Sequence, residues 1–332
     1  GFEIVSIPEA LIQNSENQTK CDPEMAMKDS LQAHGAFYLE LPNEVYNRFE
    51  IIWNKMNEFN NLPEAERNEF KLTEDEAKST GFFAPYVGLK GFKTESTDAA
   101  VGGDGNKRDC CEKFTYHKNV PAEKFPGDSK EEMTAYYNDM LGISKQVFQF
   151  VGPSLGFDKK VVDTWEDSVS EECAMRFLSY PDFSADQNEG KGIRMAAHTD
   201  QTFFTFLNQV PPDNGFCSLE AKISGNDDWT PVPSVRGTVL VQIGEILRYV
   251  SDGETRATEH RVILPESQEE SEGSARESLV LFMSPNATIK FTTQPGGPFD
   301  KVHKLLMSEG KTSVSFPELM GALEDAFAGS NR

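Results

Sequence analysis

The sequence has few histidines, few cysteines, too little basic charge for a polyanion partner and no long apolar run. Only 5 of its 332 residues are His (34, 117, 198, 260 and 303), so each can be weighed singly as a ligand. Five Cys, at 21, 110, 111, 173 and 217, are an odd number without the spacing of a disulfide framework, and adjacent Cys110-Cys111 is not a zinc knuckle. Reduced thiols in the cytoplasm are the expectation. The start at Gly1-Phe2-Glu3-Ile4-Val5 reads as trimmed, so an upstream targeting segment is left open. No run of 18 apolar residues exists, which excludes a helical membrane span. Lys and Arg number 32 against 54 Asp and Glu, a net charge of −22 that argues against nucleic acid and anionic lipid as partners. The bland reading of that charge is a soluble, monomeric surface, though a positive pocket can still sit inside an acidic shell.

What is present is ordinary for a globular protein: 38% hydrophobic and 11% aromatic residues, with 24 Phe. The length allows one large core or two small ones. Residues 1–75 are mostly helical, with helices expected over 23–33 and 43–60 and a strand-like run over 34–41. Residues 81–118 are Gly-rich and read as a loop. A helical stripe returns over 130–157, and short helices are expected over 157–165 and 315–328. From Cys173 onward, short runs rich in Val, Ile, Phe and Thr alternate with turn clusters at the spacing of a β-barrel or jelly roll. Strands are expected over 174–180, 196–200, 203–209, 218–223, 238–243, 258–263, 278–283 and 289–292. The division is then a mixed cap (1–120) and a helix-braced jelly-roll core (121–332), joined in one compact unit.

His198-Thr199-Asp200 lies at the end of an apolar strand. Residues two apart on a strand share a face, so both side chains can reach one ion. His260 sits on a later candidate strand. Two imidazoles and one carboxylate on one face of an octahedral ion leave three positions open, the arrangement of non-haem Fe(II) oxygenases. Taken alone, a His-x-Asp pair is common, and a strand His is more often satisfied by hydrogen bonds. Zinc accepts the same ligands but keeps fewer positions open. Two further features strengthen the iron reading. Arg276-Glu277-Ser278 puts a guanidinium and a hydroxyl on one strand face, where they can hold a carboxylate together. Tyr180, before Pro181, offers a phenol at the end of another strand.

The ordered set resembles the 2-oxoglutarate/Fe(II)-dependent dioxygenase superfamily, in the branch that includes isopenicillin N synthase and plant specialised-metabolism oxygenases. The stretch 33–39 resembles that family's "ALxxxGFFxL", and Phe59 to Pro63 its "FFxLP". The His198 stretch with Phe203, Thr205, Phe206 and Leu207 resembles "HTDxxxLTLL". Trp229 to Pro233 and Gln242 to Glu245 resemble "WIPVPP" and "NIGD". The resemblance implies a double-stranded β-helix, a cupin-like jelly roll, mainly β with flanking helices. It implies His198, Asp200 and His260 as iron ligands, and Arg276, Ser278 and Tyr180 as the binding set for 2-oxoglutarate. With O2 as co-substrate, the implied chemistry is oxidative decarboxylation to succinate and CO2 coupled to attack on an unactivated C–H bond. Hydroxylation, desaturation and ring closure all follow from it.

There are departures. Leu178-Ser179-Tyr180-Pro181 stands where the family has "NYYP", and Met195-Ala196-Ala197 stands where many members carry Gly-Leu-x. Both lie close to the substrate's expected place. Arg276 and Ser278 also leave open an isopenicillin N synthase-like oxidase, in which the substrate's own carboxylate occupies that pair. A non-enzymatic cupin-like barrel and a zinc hydrolase using Glu245 or Asp252 are the other classes. Candidates for the substrate wall are Arg176, Arg194, Phe204, Tyr86 and Phe92. The substrate is expected to be a small specialised metabolite or amino-acid derivative, with kainoid-type cyclisation of an N-prenylated amino acid as one option.

Overall fold

The computed structural model describes residues 4–6, 23–76, 86–87, 111–155, 162–163, 173–182, 193–223, 228–286, 289–292 and 295–327. In chain order the strands are β1 (Ile4–Ser6), β2 (Ala36–Glu40), β3 (Tyr86–Val87), β4 (Glu112–Tyr116), β5 (Ala174–Tyr180), β6 (Ile193–His198) and β7 (Phe204–Val210). They continue with β8 (Leu219–Lys222), β9 (Trp229–Pro231), β10 (Thr238–Ile243), β11 (His260–Ile263), β12 (Arg276–Met283), β13 (Lys290–Thr292) and β14 (Ser313–Ser315). The principal helices are α1 (Pro23–His34), α2 (Asn43–Asn60), α3 (Lys130–Ser154), α4 (Glu245–Val250), α5 (Asp300–Ser308) and α6 (Phe316–Phe327).

An eight-stranded sheet runs β1-β2-β10-β7-β12-β5-β4-β3 and a four-stranded sheet runs β6-β11-β8-β9. Pairing is antiparallel throughout both, except between β1 and β2. Alternation along each strand sorts side chains between two faces of the large sheet. One face carries Phe37, Phe114, Phe177, Phe206, Val241 and Leu281, which pack with the apolar stripes of α1, α2 and α3 into one core cluster. The other carries Tyr38, Leu178, Tyr180, Leu207, Leu240 and Val280, which meet Leu219, Ala221 and Val262 of the small sheet. That second cluster is the barrel interior. The architecture is the expected mainly-β jelly roll braced by helices.

Two expectations change here. Residues 81–118 are not loop throughout: Tyr86–Val87 and Glu112–Tyr116 pair as strands at the edge of the large sheet. Glu-Lys-Phe-Thr-Tyr alternates like a strand, with Phe114 and Tyr116 turned to the helices, but neighbouring glycines hide the pattern. Residues before 120 also do more than cap the core, since they supply β1 to β4 of its main sheet. The short helix expected over 157–165 lies almost wholly outside the described residues.

Glycine matters at the α1–β2 junction. Gly35 has φ +70°, and a Cβ there would lie 2.7 Å from Thr258 Oγ1 and 2.8 Å from the Arg256 carbonyl. The close approach lets the Gly35 carbonyl accept from Thr258 Oγ1 at 2.7 Å and from the Ile243 amide at 2.9 Å. The N-terminal segment thereby braces the chain just before His260.

Glu277 anchors the other side of the sheet. Lying between Arg276 and Ser278, it faces α2 and accepts from Trp53 Nε1 and, at 3.0 Å, from Asn60 Nδ2. Burial pushes its pKa up, against the opposing pull of the two donors. The folded chain therefore holds this proton to higher pH than the unfolded chain, and the group's contribution to stability falls as pH rises through the ordinary Glu value toward the raised one. Glu277→Gln removes the titration. In urea unfolding, wild type is expected to lose stability relative to Glu277→Gln as pH is raised across that interval; a pH-independent difference would contradict the assignment.

Candidate active site

His198 and His260 are direct cross-strand partners on β6 and β11, with ring centroids 4.3 Å apart. Each ring is fixed by its own strand: His198 Nδ1 lies 2.8 Å from the Ala196 carbonyl, and His260 Nδ1 lies 3.0 Å from the Thr258 carbonyl. A carbonyl only accepts, so Nδ1 carries the proton in both rings and the Nε2 lone pairs are left to face a common point. Asp200 stands at that point. Its Oδ1 lies 3.8 Å from His198 Nε2 and its Oδ2 3.9 Å from His260 Nε2. Those gaps are too long for hydrogen bonds and wide enough to admit a cation. One donor atom from each residue lies within 4.8 Å of the others. Two neutral imidazoles and a carboxylate, with Nδ1 protons engaged behind them, fit a divalent iron.

The route by which Asp200 arrives differs from the strand argument. β6 ends at His198, and Asp200 lies beyond it on the connection to β7. Strand alternation therefore aims His198 but not Asp200. What turns Asp200 inward is the start of α4, where the Glu245 amide donates to the Asp200 carbonyl at 2.8 Å.

On the opposite wall, β12 sets Arg276 across from Tyr180 and Ser278 across from Leu178 and Gln209. Arg276 is 4% exposed, sits 5.2 Å from the Tyr180 ring centroid and donates to Gln209 Oε1 at 2.9 Å. Burial lowers its pKa, while the Tyr180 phenol and the Cys217 and Cys111 thiols pull it up. Among the described residues no carboxylate pairs with it. Ser278 Oγ is buried with no hydrogen-bond partner there. A desolvated guanidinium and an unsatisfied hydroxyl on one strand face can receive a carboxylate.

The remaining candidates divide. Arg176 faces the interior from β5, opposite Val280, with its guanidinium 5.4 Å from the Phe282 ring centroid. Arg194 is fully buried and donates to the Ser274 carbonyl (3.0 Å), Ser274 Oγ (2.8 Å) and the Pro181 carbonyl (3.1 Å). It clamps the chain beside Arg276 to the chain beside Tyr180, and so does not line the pocket. Phe204 packs in the helical core against Phe148 and Phe206. Tyr86 also faces that core, donating to Glu112 Oε2 at 2.6 Å and accepting from Arg67 Nε at 3.1 Å. Strand parity explains both: each sits on the face that the barrel interior does not use. Phe92 lies outside the described residues.

Two residues come from outside the sequence reading, Gln209 and Lys113, and a third, Glu245, takes a different place from the one expected. Gln209 holds Arg276, and its one signal is its strand parity with Leu207. Glu245, weighed from sequence as a hydrolase carboxylate, instead grips the segment that carries Asp200. Lys113 is 5% exposed on β4, on the strand face that pairs toward Leu178. The interior of a chain with net charge −22 thus carries Arg276, Arg176 and Lys113.

The family model of the 2OG-Fe(II) oxygenase superfamily matches residues 172–285, a span that holds Tyr180, His198, Asp200, His260, Arg276 and Ser278. Deacetoxycephalosporin C synthase of Amycolatopsis lactamdurans is 30% identical over 225 residues, covering 66% of this chain and 69% of that protein. The chain belongs to the 2OG-Fe(II) oxygenase superfamily. An alpha-ketoglutarate dependent kainoid synthase of Digenea simplex is 29% identical over 287 residues, 81% of this oxygenase and 73% of that enzyme. In fold, this oxygenase is similar to a full-length Neurospora crassa protein crystallised in complex with alpha-KG and 5-formyluracil, with a TM-score of 0.68, 21% identity, and coverage of 97% and 95% of the two chains. It is an oxidoreductase that uses Fe(II), 2-oxoglutarate and O2 on a small molecule. These matches favour the oxo-acid-dependent reading over an oxidase without 2-oxoglutarate, a non-enzymatic barrel or a zinc hydrolase. Among the described residues no helix is long and apolar enough to cross a membrane.

Proposed function

We propose that this oxygenase holds iron through His198 Nε2, His260 Nε2 and the Asp200 carboxylate, and oxidises a C–H bond of a small acidic substrate. The observation that carries the reading is the convergence of His198 Nε2 and His260 Nε2 on the Asp200 carboxylate, with Arg276 and Ser278 facing the same interior from the opposite wall. When bound, iron with 2-oxoglutarate and O2 supplies the oxidising power, releasing succinate and CO2.

The chain's own residues bind, orient and exclude water. Arg276 and Ser278 take the distal carboxylate of 2-oxoglutarate, and Tyr180 shelters the guanidinium. Leu178, Leu207, Leu219, Val262 and Val280 make an apolar wall that keeps the interior dry. Leu178 is the interior position at which the sequence departs from "NYYP", and it removes a polar group from that wall. β12 ends beside the ligand segment, since the Phe203 amide donates to the Met283 carbonyl at 2.9 Å, whereas Arg276 lies at its other end. Arg176, opposite Val280, falls between the two and suits a substrate carboxylate.

An amino-acid-derived or specialised metabolite fits this cationic interior, with hydroxylation, desaturation or oxidative cyclisation as the outcome. Kainoid-type cyclisation is the version favoured by the breadth of the match to the Digenea simplex enzyme. Cys111, Cys173 and Cys217, which form no disulfide, support work in the reducing cytoplasm, and the same reading has the protein act as a monomer.

The test is an anaerobic titration with Fe(II) and 2-oxoglutarate, followed by a screen of small acids for stimulated succinate release. A weak visible charge-transfer band and stimulation by an acid but not its amide are expected. Absence of the band in wild type sinks the iron assignment, and equal stimulation by the amide sinks the acidic-substrate assignment.

A further inference from the structure

The ligand segment between β6 and β7 is held chiefly by α4. Three consecutive amides of that helix start donate into it: Gly244 to the Phe203 carbonyl (3.0 Å), Glu245 to the Asp200 carbonyl (2.8 Å) and Ile246 to the Thr202 carbonyl (3.1 Å). The approach is so close that a Cβ on Gly244 would fall 2.3 Å from the Thr202 carbonyl oxygen, so glycine is required there. One side chain adds to these main-chain bonds. The Glu245 carboxylate, buried at 6% exposure, accepts from Thr199 Oγ1 at 2.9 Å on one oxygen and from Arg248 Nη1 at 3.1 Å on the other. Arg248 is itself seated over the Phe299 ring, 5.1 Å from its centroid.

Thr199 lies between His198 and Asp200. We propose that Glu245 is a positioning residue for the metal: by gripping Thr199 it fixes the spacing of the two ligands on either side. The grip is made by a buried carboxylate whose two oxygens are both engaged, so the bond to Thr199 is held at a set distance rather than left to a flexible surface contact. A hydroxyl is what the middle position needs, and α4 needs an acceptor at its first residue. Neither group touches the metal donors directly. The inference rests on the iron assignment above and concerns how that assignment is kept in register.

Mn(II) and Fe(II) affinities, measured anaerobically by calorimetry on the full chain, test it. Loss of a supporting outer hydrogen bond weakens metal binding by about 10–100-fold, and Glu245→Ala is expected in that range. Thr199→Val removes only the hydroxyl and is expected to weaken affinity similarly, whether or not Glu245→Ala folds well. The double variant is expected to be no weaker than the worse single one, because both break the same bond. Glu245→Gln keeps an acceptor for Thr199 and is expected to recover most of the affinity. If Thr199→Val binds metal within about two-fold of wild type, well below the outer-bond range, the positioning role is overturned and Glu245 is only a folding contact. If wild type itself binds no metal, or Asp200→Ala binds as well as wild type, the iron assignment falls instead, and the positioning role with it.

Discussion

Asp200→Ala is expected to lose Fe(II)-dependent turnover and metal binding together, while remaining folded. The donor set contains one anion, and the two imidazoles, whose Nδ1 atoms are committed to backbone carbonyls, bring no charge when Nε2 binds a metal. Without the carboxylate, a divalent cation would face two neutral donors in a largely buried site. Affinity should fall further than the 10–100-fold that follows loss of an outer supporting bond, and we expect about 10³-fold or more. Stability separates this from unfolding. Among the described residues the Asp200 carboxylate makes no ion pair closer than the two imidazole nitrogens at 3.8 and 3.9 Å, so in the metal-free protein its removal is expected to cost no more than about 1 kcal/mol. At a metal concentration near 100 times the dissociation constant, wild type gains about 2.7 kcal/mol from binding, and the variant should gain almost none. Thermal unfolding with and without Mn(II) reads both. A metal-induced rise in Tm retained in Asp200→Ala would remove Asp200 from the ligand set.

Arg276→Lys is expected to raise KM for 2-oxoglutarate steeply while leaving metal affinity intact. Arg276 is desolvated and fixed in orientation by Gln209 and the Tyr180 ring, so its paired N–H groups are preset for a two-oxygen acceptor. Lysine offers a point charge that cannot make both bonds at once. Truncating one partner of a buried hydrogen-bonded charge pair costs about 2–5 kcal/mol, a loss of tens- to thousands-fold; Lys should fall at the lower end and Leu at the upper. Ser278→Ala should cost nearer 1 kcal/mol, the worth of one hydrogen bond. Steady-state kinetics at saturating Fe(II) give the answer. A rise confined to the KM of the organic substrate would assign Arg276 to that substrate's carboxylate.

The fold was legible where local chemistry and final environment agree. α2 could be read residue by residue because Val45, Phe49, Ile52, Met56 and Phe59 recur at helical spacing and all are buried. The run of Tyr180, His198, Asp200, His260, Arg276 and Ser278 stood out as a candidate site because only 5 His are present and the set falls in a fixed order. What could not be read was direction. Phe204 is aromatic and close to His198 in sequence, and Tyr86 is an aromatic of the Gly-rich stretch, but only the ladder register decides that they turn to the helices. Arg194 could not be told from a substrate-binding arginine without the Ser274 and Pro181 carbonyls that absorb it. Glu245 was visible as a residue but not in its role, because α4 is only six residues long and its bond to Thr199 spans 46 positions of sequence.

The alternation of β5 has a consequence for how such a protein changes over time. Ala174, Arg176, Leu178 and Tyr180 look into the reaction chamber, whereas Met175, Phe177 and Ser179 look toward the helices. On the proposed function, choice of substrate and the ability to fold are thus written on interleaved letters of one seven-residue word. Lineages can rewrite every second letter to change diet while the letters between keep the scaffold standing. Randomising 174, 176 and 178 together is accordingly a compact library for redirecting this enzyme, with the helical layer left as it is.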